Sequence, residues 1–386
     1  MAMTKGNKRG RVLTIPTPHT FHVPTDSERR LLGLIHRRGR ATQAEITRAM
    51  DLTQPQVSRL VTGLVAEGLI RLGPATANGR GHPSAALTLN PDYAFGLGVS
   101  LLGDALSMDL IDFAGRLLWR GSRAMPDMTR PRVLAQLAAY RQEMLVETRV
   151  DPARIFAAGV GVSAFFVGDG PLMNPPALLD DWALVDIAAV LEDTLGVRVS
   201  VDNDGNVASI GEAFLGAGRR HASFAYLQVT NGFGGGLVLN GRPHRGTFGN
   251  AGEYAAVWQA MGIPHPNLER LRTLVNDHDR AFGSVSEMIE AFDINWRGVA
   301  LWLDEAGPAF SVVATAISAV ADCEAIVLGG RIPPPLARAL ADRIVIAGTD
   351  RRQRPRPLPV VIEAEAPGDA VSLGAAVLSL QQGFFL

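Results

Sequence analysis

The chain has 386 residues, of which 47% are hydrophobic and 19% charged, so two or three domains with well-filled cores are expected. Its single cysteine, Cys323, excludes a disulfide framework and a thiolate-rich metal site. The longest apolar run, 156–167, is shorter than the ~20 residues of a membrane helix, and the polar, basic start of the chain is unlike a signal peptide. A soluble, cytoplasmic protein is therefore expected.

Charge is divided unevenly along the chain, although the net charge is −1. Residues 1–90 hold 13 Lys and Arg against 5 Asp and Glu, whereas the remainder holds 24 against 33. A basic segment ahead of an acidic body is typical of a module that binds a polyanion. Residues 1–25 mix basic residues with prolines and show no periodicity, so they are predicted to form a flexible arm.

Three helical patterns follow this arm. An apolar face predicts a first helix over 26–38, and Thr42 with Glu45 forms a capping box at the start of a short second helix. Thr53 then caps a third helix, with Pro55 in the first turn, where the missing N–H has no consequence. The short helix, the tight turn and the third helix predict a helix-turn-helix.

Two strand patterns, starting at residue 68 and covering 85–89, flank the glycine-rich loop 79–83 and predict the wing of a winged helix. The third helix would enter the major groove of double-stranded DNA, where Gln and Arg make bidentate contacts with adenine and guanine. Arg80, at the tip of the wing, suits a narrow minor groove. Three-helix modules also mediate protein contacts, but the basic excess favours DNA. The predicted DNA-binding residues are Thr53, Gln54, Gln56, Ser58, Arg59 and Arg80.

From about residue 93 the pattern changes to short β-rich runs that alternate with helices. Residues 95–118 have the pattern of three strands separated by turns. Residues 223–239 repeat it weakly, with a glycine turn before a strand that starts at Gly236. Two such halves hinged together make the actin-like ATPase architecture, in which ligands bind in the cleft between the halves.

The most specific motif of this region is Asn203-Asp204-Gly205-Asn206. It resembles the Asn-Asp-x-Asn motif of the ROK family, which contains bacterial sugar kinases and sugar-sensing repressors. The resemblance implies that Asp204 corresponds to the base that takes a proton from a sugar hydroxyl, and that Asn203 binds sugar. A carboxylate beside an amide is chemically suited to both tasks. An Asx turn that caps a helix would explain the same residues.

Further segments extend the resemblance over residues 25–386. The run 230–236 is similar to the family's second phosphate loop, where glycines let backbone amides approach an anion, although glycine runs also mark tight hairpins. Ala251-Gly252-Glu253 resembles a motif whose Glu lies near the sugar, and Glu269 would accept a sugar hydroxyl. The sugar-binding residues that the resemblance implies are Asn203, Asp204, Glu253 and Glu269. The expected fold class is α/β, with a winged helix-turn-helix over 26–90 and a two-lobed actin-like ATPase (RNase H-like) sugar-kinase fold over 91–386.

Departures from the family's pattern bear on catalysis and on metal binding. The kinases open with Asp-x-Gly-Gly-Thr, which supports ATP phosphate and magnesium, whereas this chain has Ser100, Leu102 and Asp104 at three of those positions. Phosphoryl transfer depends on positioning and charge neutralisation, so this change is expected to abolish it and leave no catalytic residue. The family's zinc ligands are replaced too, with Ala256 for a His and no cysteine over 250–275. Neither a metal nor a cofactor is therefore expected.

The sequence favours a DNA-binding transcriptional regulator, usually a repressor in this family, controlled by a sugar or sugar derivative bound in a non-catalytic ROK domain. A homodimer or a higher homo-oligomer is expected because winged-helix regulators commonly bind two-fold symmetric sites. Two alternatives stay open. The body could be a dimerisation scaffold without an effector, which the lost zinc ligands and Ser163-Ala164 in place of a Pro-Gly turn favour, or an active sugar kinase, which Asp204 favours.

Overall fold

The computed structural model describes residues 20–76, 84–168, 170–348 and 354–386. The first unit, here called the head, confirms the predicted order of three helices and two antiparallel strands. Its elements are α1 (Asp26–Arg38), α2 (Gln43–Met50), α3 (Gln54–Ala66), β1 (Ile70–Thr76) and β2 (Ser84–Leu89). The wing loop with Arg80 lies outside the described residues. None of the helices in the described ranges is both long enough and apolar enough to span a membrane.

Capping boxes and one small core hold the head together. Thr25 and Thr42 each accept a hydrogen bond from a backbone N–H three residues on, and the carboxylates of Glu28 and Glu45 accept from the backbone N–H of the cap residue. The apolar faces of the helices meet in a core with six completely buried side chains, those of Leu31, Leu32, Ile35, Ile46, Val57 and Leu64. The spacing of these residues at three and four positions is what predicted the helices.

Two residues near the end of the predicted flexible arm, Phe21 and His22, contact the body. The ring of Phe21 lies edge-on to Phe156 at 5.2 Å and to Phe384 at 6.2 Å between centroids, and the backbone N–H of His22 donates to the Tyr93 hydroxyl at 2.9 Å. Prolines and basic residues dominate the arm, so one aromatic residue at its end gave no periodic signal. Residues 1–19 of the predicted arm lie outside the described residues.

The body has two lobes with matching sheets. Lobe 1 and the helix that follows it comprise β3 (Phe95–Leu102), β4 (Ala105–Asp112), β5 (Leu117–Ala124), α4 (Arg130–Thr148), β6 (Ile155–Val162), β7 (Phe165–Phe166), β8 (Met173–Asn174), α5 (Ile187–Leu195), β9 (Val199–Asn203) and α6 (Asp204–Leu215). Lobe 2 and the closing helix comprise β10 (Phe224–Val229), β11 (Phe233–Leu239), β12 (Arg242–Pro243), α7 (Ala255–Met261), α8 (Leu268–His278), α9 (Val285–Glu290), α10 (Arg297–Val320), β13 (Ala325–Gly330), α11 (Pro334–Ala341), β14 (Val360–Glu363) and α12 (Ala370–Phe384).

The strand orders confirm the internal repeat. The sheet of lobe 1 runs β5-β4-β3-β6-β9 and that of lobe 2 runs β12-β11-β10-β13-β14. In each sheet the first strand of the repeat pairs antiparallel with the next strand and parallel with a later one. The glycine run, however, does not form a turn before Gly236 as predicted, because β11 already begins at Phe233.

Helices α6 and α12 lie between the two sheets, with α12 on β3 and β6 and α6 on β10 and β11. Glycines allow this close approach. A Cβ atom on Gly98 of β3 would lie 1.9 Å from the Ser372 carbonyl oxygen of α12, and one on Gly159 of β6 would lie 2.0 Å from that of Ala375. The backbones of α12 and of the lobe 1 strands are thus in direct contact.

The head is attached to the body through the C-terminal end of α12. The Nη2 atom of Arg29 in α1 donates to the carbonyl oxygens of Gln381, Gln382 and Phe385 at 3.2–3.3 Å. The last carbonyls of a helix have no partner within it, so an arginine there satisfies them and complements the helix dipole. Helix α1 is therefore bound to the end of the helix that lies between the lobes.

His36 is buried in the same junction, with its ring 4.8 Å from that of Phe214 and 5.2 Å from that of Phe385. Burial, and then the positive charges of Arg219 and Arg37, lower the pKa of His36 to about 4. The imidazole is consequently neutral at pH 7, and its Nδ1 atom has no hydrogen-bond partner among the described residues.

We expect substitution of Gly98 by Ala to destabilise the body by about 3 kcal/mol, because the added methyl must push α12 away from β3. Gly170→Ala is the control, since nothing lies within 4 Å of the position of its Cβ, and it should change stability by less than about 0.5 kcal/mol. Chemical denaturation measures both. Equal stabilities of the two variants would contradict the close packing of α12.

The His36 junction should weaken as the pH falls. The unfolded chain binds a proton near its ordinary pKa of 6.5 and the folded chain only near 4, so stability is lost as pH decreases through this window. Between pH 7 and pH 5 the loss attributable to His36 is about 2 kcal/mol. His36→Leu should remove this part of the pH dependence, measured by denaturation at both pH values. His244→Leu, at an exposed site in lobe 2, is the control, and an equal change of slope in both variants would refute the prediction.

Candidate functional site

The candidate DNA-binding surface is the outer face of α3. Gln54, Gln56, Ser58 and Arg59 are all exposed on this helix, while Val57 between them is completely buried. Gln54 and Ser58, four positions apart, lie on the same side of the helix, whereas Val57 faces the core. Four of the six predicted DNA-binding residues are thus exposed on α3, and Thr53 immediately precedes its first residue.

One of these residues has a second role. The backbone N–H and the hydroxyl of Thr53 donate to Gln56 Oε1 at 2.9 and 2.8 Å, so the amide oxygen of Gln56 closes the capping box of α3. Only the NH2 group of Gln56 remains for a ligand, and Thr53 acts as cap. Gln54, Ser58 and Arg59 have no such commitment in the described structure.

The candidate sugar site is a cavity of about 350 Å³ between the lobes. Three of the four predicted sugar-binding residues, Asn203, Asp204 and Glu253, lie in its wall. The other polar or aromatic groups of the wall come from both lobes and are Ser163, Phe165, Asn174, Thr230, Phe233, Gln259 and His265. No Lys or Arg is among the described residues that line it.

Asn203 ends β9 and caps α6, as the Asx-turn alternative predicted. Its Oδ1 accepts from the N–H groups of Gly205 and Asn206 at 2.8 and 3.1 Å. Its Nδ2 donates to the carbonyl of Ala164 at 2.8 Å and to Glu253 Oε1 at 3.3 Å. Asn203 therefore joins both lobes at the wall of the cavity.

Asp204 is the first residue of α6 and is almost fully buried. Its pKa is raised to about 7, because burial and the nearby Glu253 raise it by more than the hydrogen bonds from the Gly205 N–H and the Ser163 hydroxyl lower it. Burial also raises the pKa of Glu253. A carboxyl group with a pKa near 7 both accepts and donates protons at neutral pH, which suits it to bind sugar hydroxyls in either sense.

Glu269 does not reach this cavity, contrary to the prediction. It lies in the first turn of α8, where Oε2 accepts from Arg272 Nε at 2.9 Å and Oε1 faces Asn231 Nδ2 at 3.5 Å. The helix is capped by Asn267, whose side chain accepts from the Arg270 N–H. The side chain of Glu269 is thus bonded to Arg272 and Asn231, and it is not among the described residues that line the cavity.

The glycine run also differs from the predicted phosphate loop. Gly234 to Gly236 lie within β11, and a Cβ on Gly235 would lie 2.5 Å from the carbonyl oxygen of Tyr226. A Cβ on Gly205 would lie 2.4 Å from the carbonyl oxygen of Gly235. These glycines allow β11 to contact the start of α6, and only Gly232 and Gly234 border the cavity.

Sequence reasoning missed several residues of the cavity wall. Ser163 takes part in the hydrogen bonding of Asp204, and Gln259 and His265 line the side formed by lobe 2. The ring of His265 lies 5.7 Å from that of the buried Trp258. In the sequence, Ser163 was noted only because Ser163-Ala164 stands in place of a Pro-Gly turn. His265 lies in the segment 250–275, where the family's zinc ligands are replaced. No three His, Cys, Asp or Glu side chains in the described ranges form a group suited to a metal ion.

The three replaced kinase positions lie in the β3–β4 hairpin. Ser100 is buried and its Oγ has no hydrogen-bond partner among the described residues. Leu102 is buried in the core, and Asp104 in the hairpin turn faces lobe 2, where Arg331 Nη1 donates to its Oδ1 at 2.9 Å. A carboxylate and its arginine partner thus meet at the turn of this hairpin.

Comparisons with known proteins agree with both parts of the structure. Residues 97–256 match the ROK family, and residues 24–81 match the MarR family. The xylose repressor of Caldicellulosiruptor bescii is 25% identical over 55% of this chain and 53% of its own. The chain thus aligns with about half the length of such named repressors.

Two solved structures share the fold. A ROK family transcriptional regulator, a homologue of the E. coli MLC protein, has a TM-score of 0.60 and 17% identity, and it covers 93% of this chain and 96% of its own. A ROK family glucokinase from Streptomyces griseus, in complex with glucose and AMPPNP, has a TM-score of 0.57 and 21% identity, with 74% of this chain and 99% of its own covered. The regulator covers the head as well as the body. This chain therefore carries a ROK family domain behind an N-terminal MarR-type winged-helix domain.

Proposed function

We propose that this protein is a transcriptional repressor that binds double-stranded DNA through residues 26–90 and is controlled by a sugar bound, without phosphorylation, in residues 91–386. The observation that carries the proposal is the direct attachment of a DNA-binding head to α12, the helix between the lobes. Arg29 makes this attachment with three hydrogen bonds to the end of α12. A change in the lobes therefore has a physical route to the head.

The exposed face of α3 supports DNA binding. Arg59 and Gln54 present the donors that read guanine and adenine edges in the major groove, and the excess of basic over acidic residues in 1–90 adds attraction to phosphates. A homodimer would place two such helices on two half-sites, separated by about 34 Å or a multiple of it. Such a dimer is sensitive to small changes in head orientation, since both half-sites must be bound together.

The chemistry of the cavity supports a neutral sugar or an amino sugar as ligand. Its volume of about 350 Å³ is at the lower end of the range for small-molecule sites, ~300–1,000 Å³. Carboxyl and amide groups from both lobes surround it, and the described wall has no Lys or Arg to neutralise a phosphate. A phosphorylated sugar would bring its charge close to Asp204 and Glu253 without compensation.

The route from the cavity to the head runs through two helices. Asp204 begins α6 at the cavity, and farther along α6 a Cβ on Gly211 would lie 3.1 Å from the backbone of Gly374 in α12. Helix α12 then ends at Arg29 of the head. A ligand that changes the angle between the lobes would move α6 and α12 together, and the head with them.

Sugar kinase activity is the second candidate, since Asp204 has a pKa of about 7 and lies at the cavity where a base would act. The β3–β4 hairpin opposes it, because Asp104 stands where the related kinases support ATP phosphate and is already bonded to Arg331. Sugar-dependent ATP turnover that Asp204→Asn abolishes would establish the kinase. Turnover at background with a bound sugar supports the repressor.

For the head, we expect Arg59→Ala to relax specificity at one base pair by about 1–3 kcal/mol, because a bidentate contact with guanine is lost. The measurement is binding to a randomised DNA library followed by titration of the selected sites. Arg297→Ala removes an exposed charge from lobe 2 and should leave the sequence preference unchanged. Uniform losses on all sequences for Arg59→Ala would contradict the assignment of α3 to the major groove.

Arg80→Ala should weaken binding mainly at A/T-rich flanks.

For the body, we expect one neutral sugar or amino sugar to raise the thermal midpoint, by a stabilisation of about 2.7 kcal/mol at 100 times its dissociation constant. The panel contains sugars, amino sugars and their phosphates, each with and without ATP. Asn203→Ala and Glu253→Gln should abolish the shift because their side chains lie in the wall, whereas Glu269→Gln, outside the cavity, should retain it. The same sugar should release DNA in a binding assay.

Loss of the shift in Glu269→Gln but not in Glu253→Gln would place the ligand elsewhere in the cleft. No shift with any member of the panel would favour the alternative in which the body is a dimerisation scaffold without an effector.

A further inference from the structure

The two lobes are also joined by an ion pair, between Asp104 and Arg331, that is not part of the cavity wall. Asp104 lies in the turn between β3 and β4 of lobe 1, and Arg331 directly follows β13 of lobe 2. Arg331 Nη1 donates to Asp104 Oδ1 at 2.9 Å and to Oδ2 at 3.2 Å. The pair therefore bridges the cleft between the lobes.

Two further side chains of lobe 2 complete this arrangement. Asn231 Nδ2 donates to Asp104 Oδ2 at 3.1 Å, and Asn231 Oδ1 accepts from Arg331 Nη1 at 3.1 Å. Ser286 Oγ accepts from Arg331 Nη2 at 2.6 Å. The guanidinium is thus held in place by lobe 2 even before it meets Asp104, which lowers the entropy lost when the lobes close.

Backbone geometry aims Arg331 at the cleft. Gly330 has a φ of +94°, and a Cβ there would lie 2.5 Å from the carbonyl oxygen of Val229. The Arg331 N–H then donates to the same carbonyl at 2.9 Å. Only a glycine fits this turn, so the position of Arg331 is fixed by the end of β13.

The pair is partly shielded from water, with side-chain exposures of 21% for Arg331 and 22% for Asp104. Such a pair is screened less than the surface ion pairs that contribute little. Asn231, which bonds both partners, lies between Thr230 and Gly232, and these two residues border the sugar cavity. The loop 230–232 therefore connects the ion pair with the cavity.

We propose that Asp104 and Arg331 form a latch that holds the two lobes closed and positions the loop 230–232 at the cavity. The two residues are positioning residues and do not contact the ligand. Because Asp104 and Arg331 neutralise each other, the latch closes without nucleotide or metal. Opening it changes the angle between the lobes and lowers the population in which the cavity wall is complete.

The test measures the distance between the lobes in the full chain without DNA or sugar, so it is independent of the proposed function. Spin labels at Val146→Cys on lobe 1 and Val320→Cys on lobe 2 use side chains that are 70% and 88% exposed, in a Cys323→Ser background. Pulsed electron resonance should give one narrow distance distribution for this labelled parent. Asp104→Ala and Arg331→Ala should each broaden it or move it, and the double variant should add nothing to either single one.

Glu305→Ala is the matched control. It breaks an arginine–glutamate pair of similar geometry, with Arg270 at 2.8 and 2.6 Å, that lies wholly within lobe 2, and it should leave the distribution unchanged. Amide exchange in 230–232 should accelerate about tenfold in Asp104→Ala, equivalent to about 1.4 kcal/mol, and stay at the parent rate in Glu305→Ala.

If an alanine variant fails to fold, a variant that retains the positive charge of Arg331 still tests the proposal. Arg331→Lys retains the charge but cannot bond Asp104, Asn231 and Ser286 at once, so it should move the distance distribution in the same direction. Folded Asp104→Ala, or folded Arg331→Lys, with an unchanged distance distribution and unchanged exchange in 230–232 would overturn the latch.

Discussion

Helix α12 lies between the lobes only because glycines leave room for its backbone. No methyl group fits at Gly98 or Gly159 of lobe 1, where a Cβ would lie within about 2 Å of α12 carbonyl oxygens, and a Cβ on Gly374 of α12 would lie 2.0 Å from the Val207 carbonyl of α6. Contacts between backbones contain no flexible side chain that could absorb a displacement. The strands of lobe 1, α12 and α6 therefore move as one layer. The cavity, the latch and the head each contact this layer, so its position determines theirs.

Two buried carboxylates keep this layer in register. Glu212 of α6 is completely buried, and its oxygens accept from the N–H groups of Ala217, Glu365 and Ala366 at 2.7–2.9 Å. Asp109 of β4 accepts from the Ser372 hydroxyl of α12 at 2.9 Å and pairs with Arg120. A buried carboxylate without such partners would be strongly unfavourable, so each group strongly favours one arrangement of the segments around it. Apolar packing brings the segments together, and these carboxylates fix their relative positions.

The elements of the fold could be predicted because their causes are local. Apolar spacing and the capping pair of Thr42 and Glu45 mark helices over a few residues, and the Asn203-Asp204 motif marks the start of α6. The Asp104–Arg331 pair could not be predicted, since 227 positions separate its partners and either residue alone resembles an ordinary surface charge. The surroundings of Glu269 could not be predicted for a related reason, because the direction of its side chain depends on Arg272 and on Asn231 of another segment. Tertiary contacts decide such details, and one sequence does not display them.

The cavity and the latch act on the same loop between β10 and β11, because Thr230 and Gly232 border the cavity and Asn231 bonds both partners of the latch. In the proposed mechanism, a ligand bound by Asp204 and Glu253 favours the closed lobes at the cavity, and the latch favours them through Asn231. The effect of a ligand on the lobes is therefore limited to the difference between its affinities for the two states. If the latch alone kept the lobes fully closed, a ligand would have little left to change. If the latch contributes only modestly, a ligand that favours one state by a few kcal/mol shifts most of the population. A weak latch is thus the condition under which α12 can report ligand binding to the head.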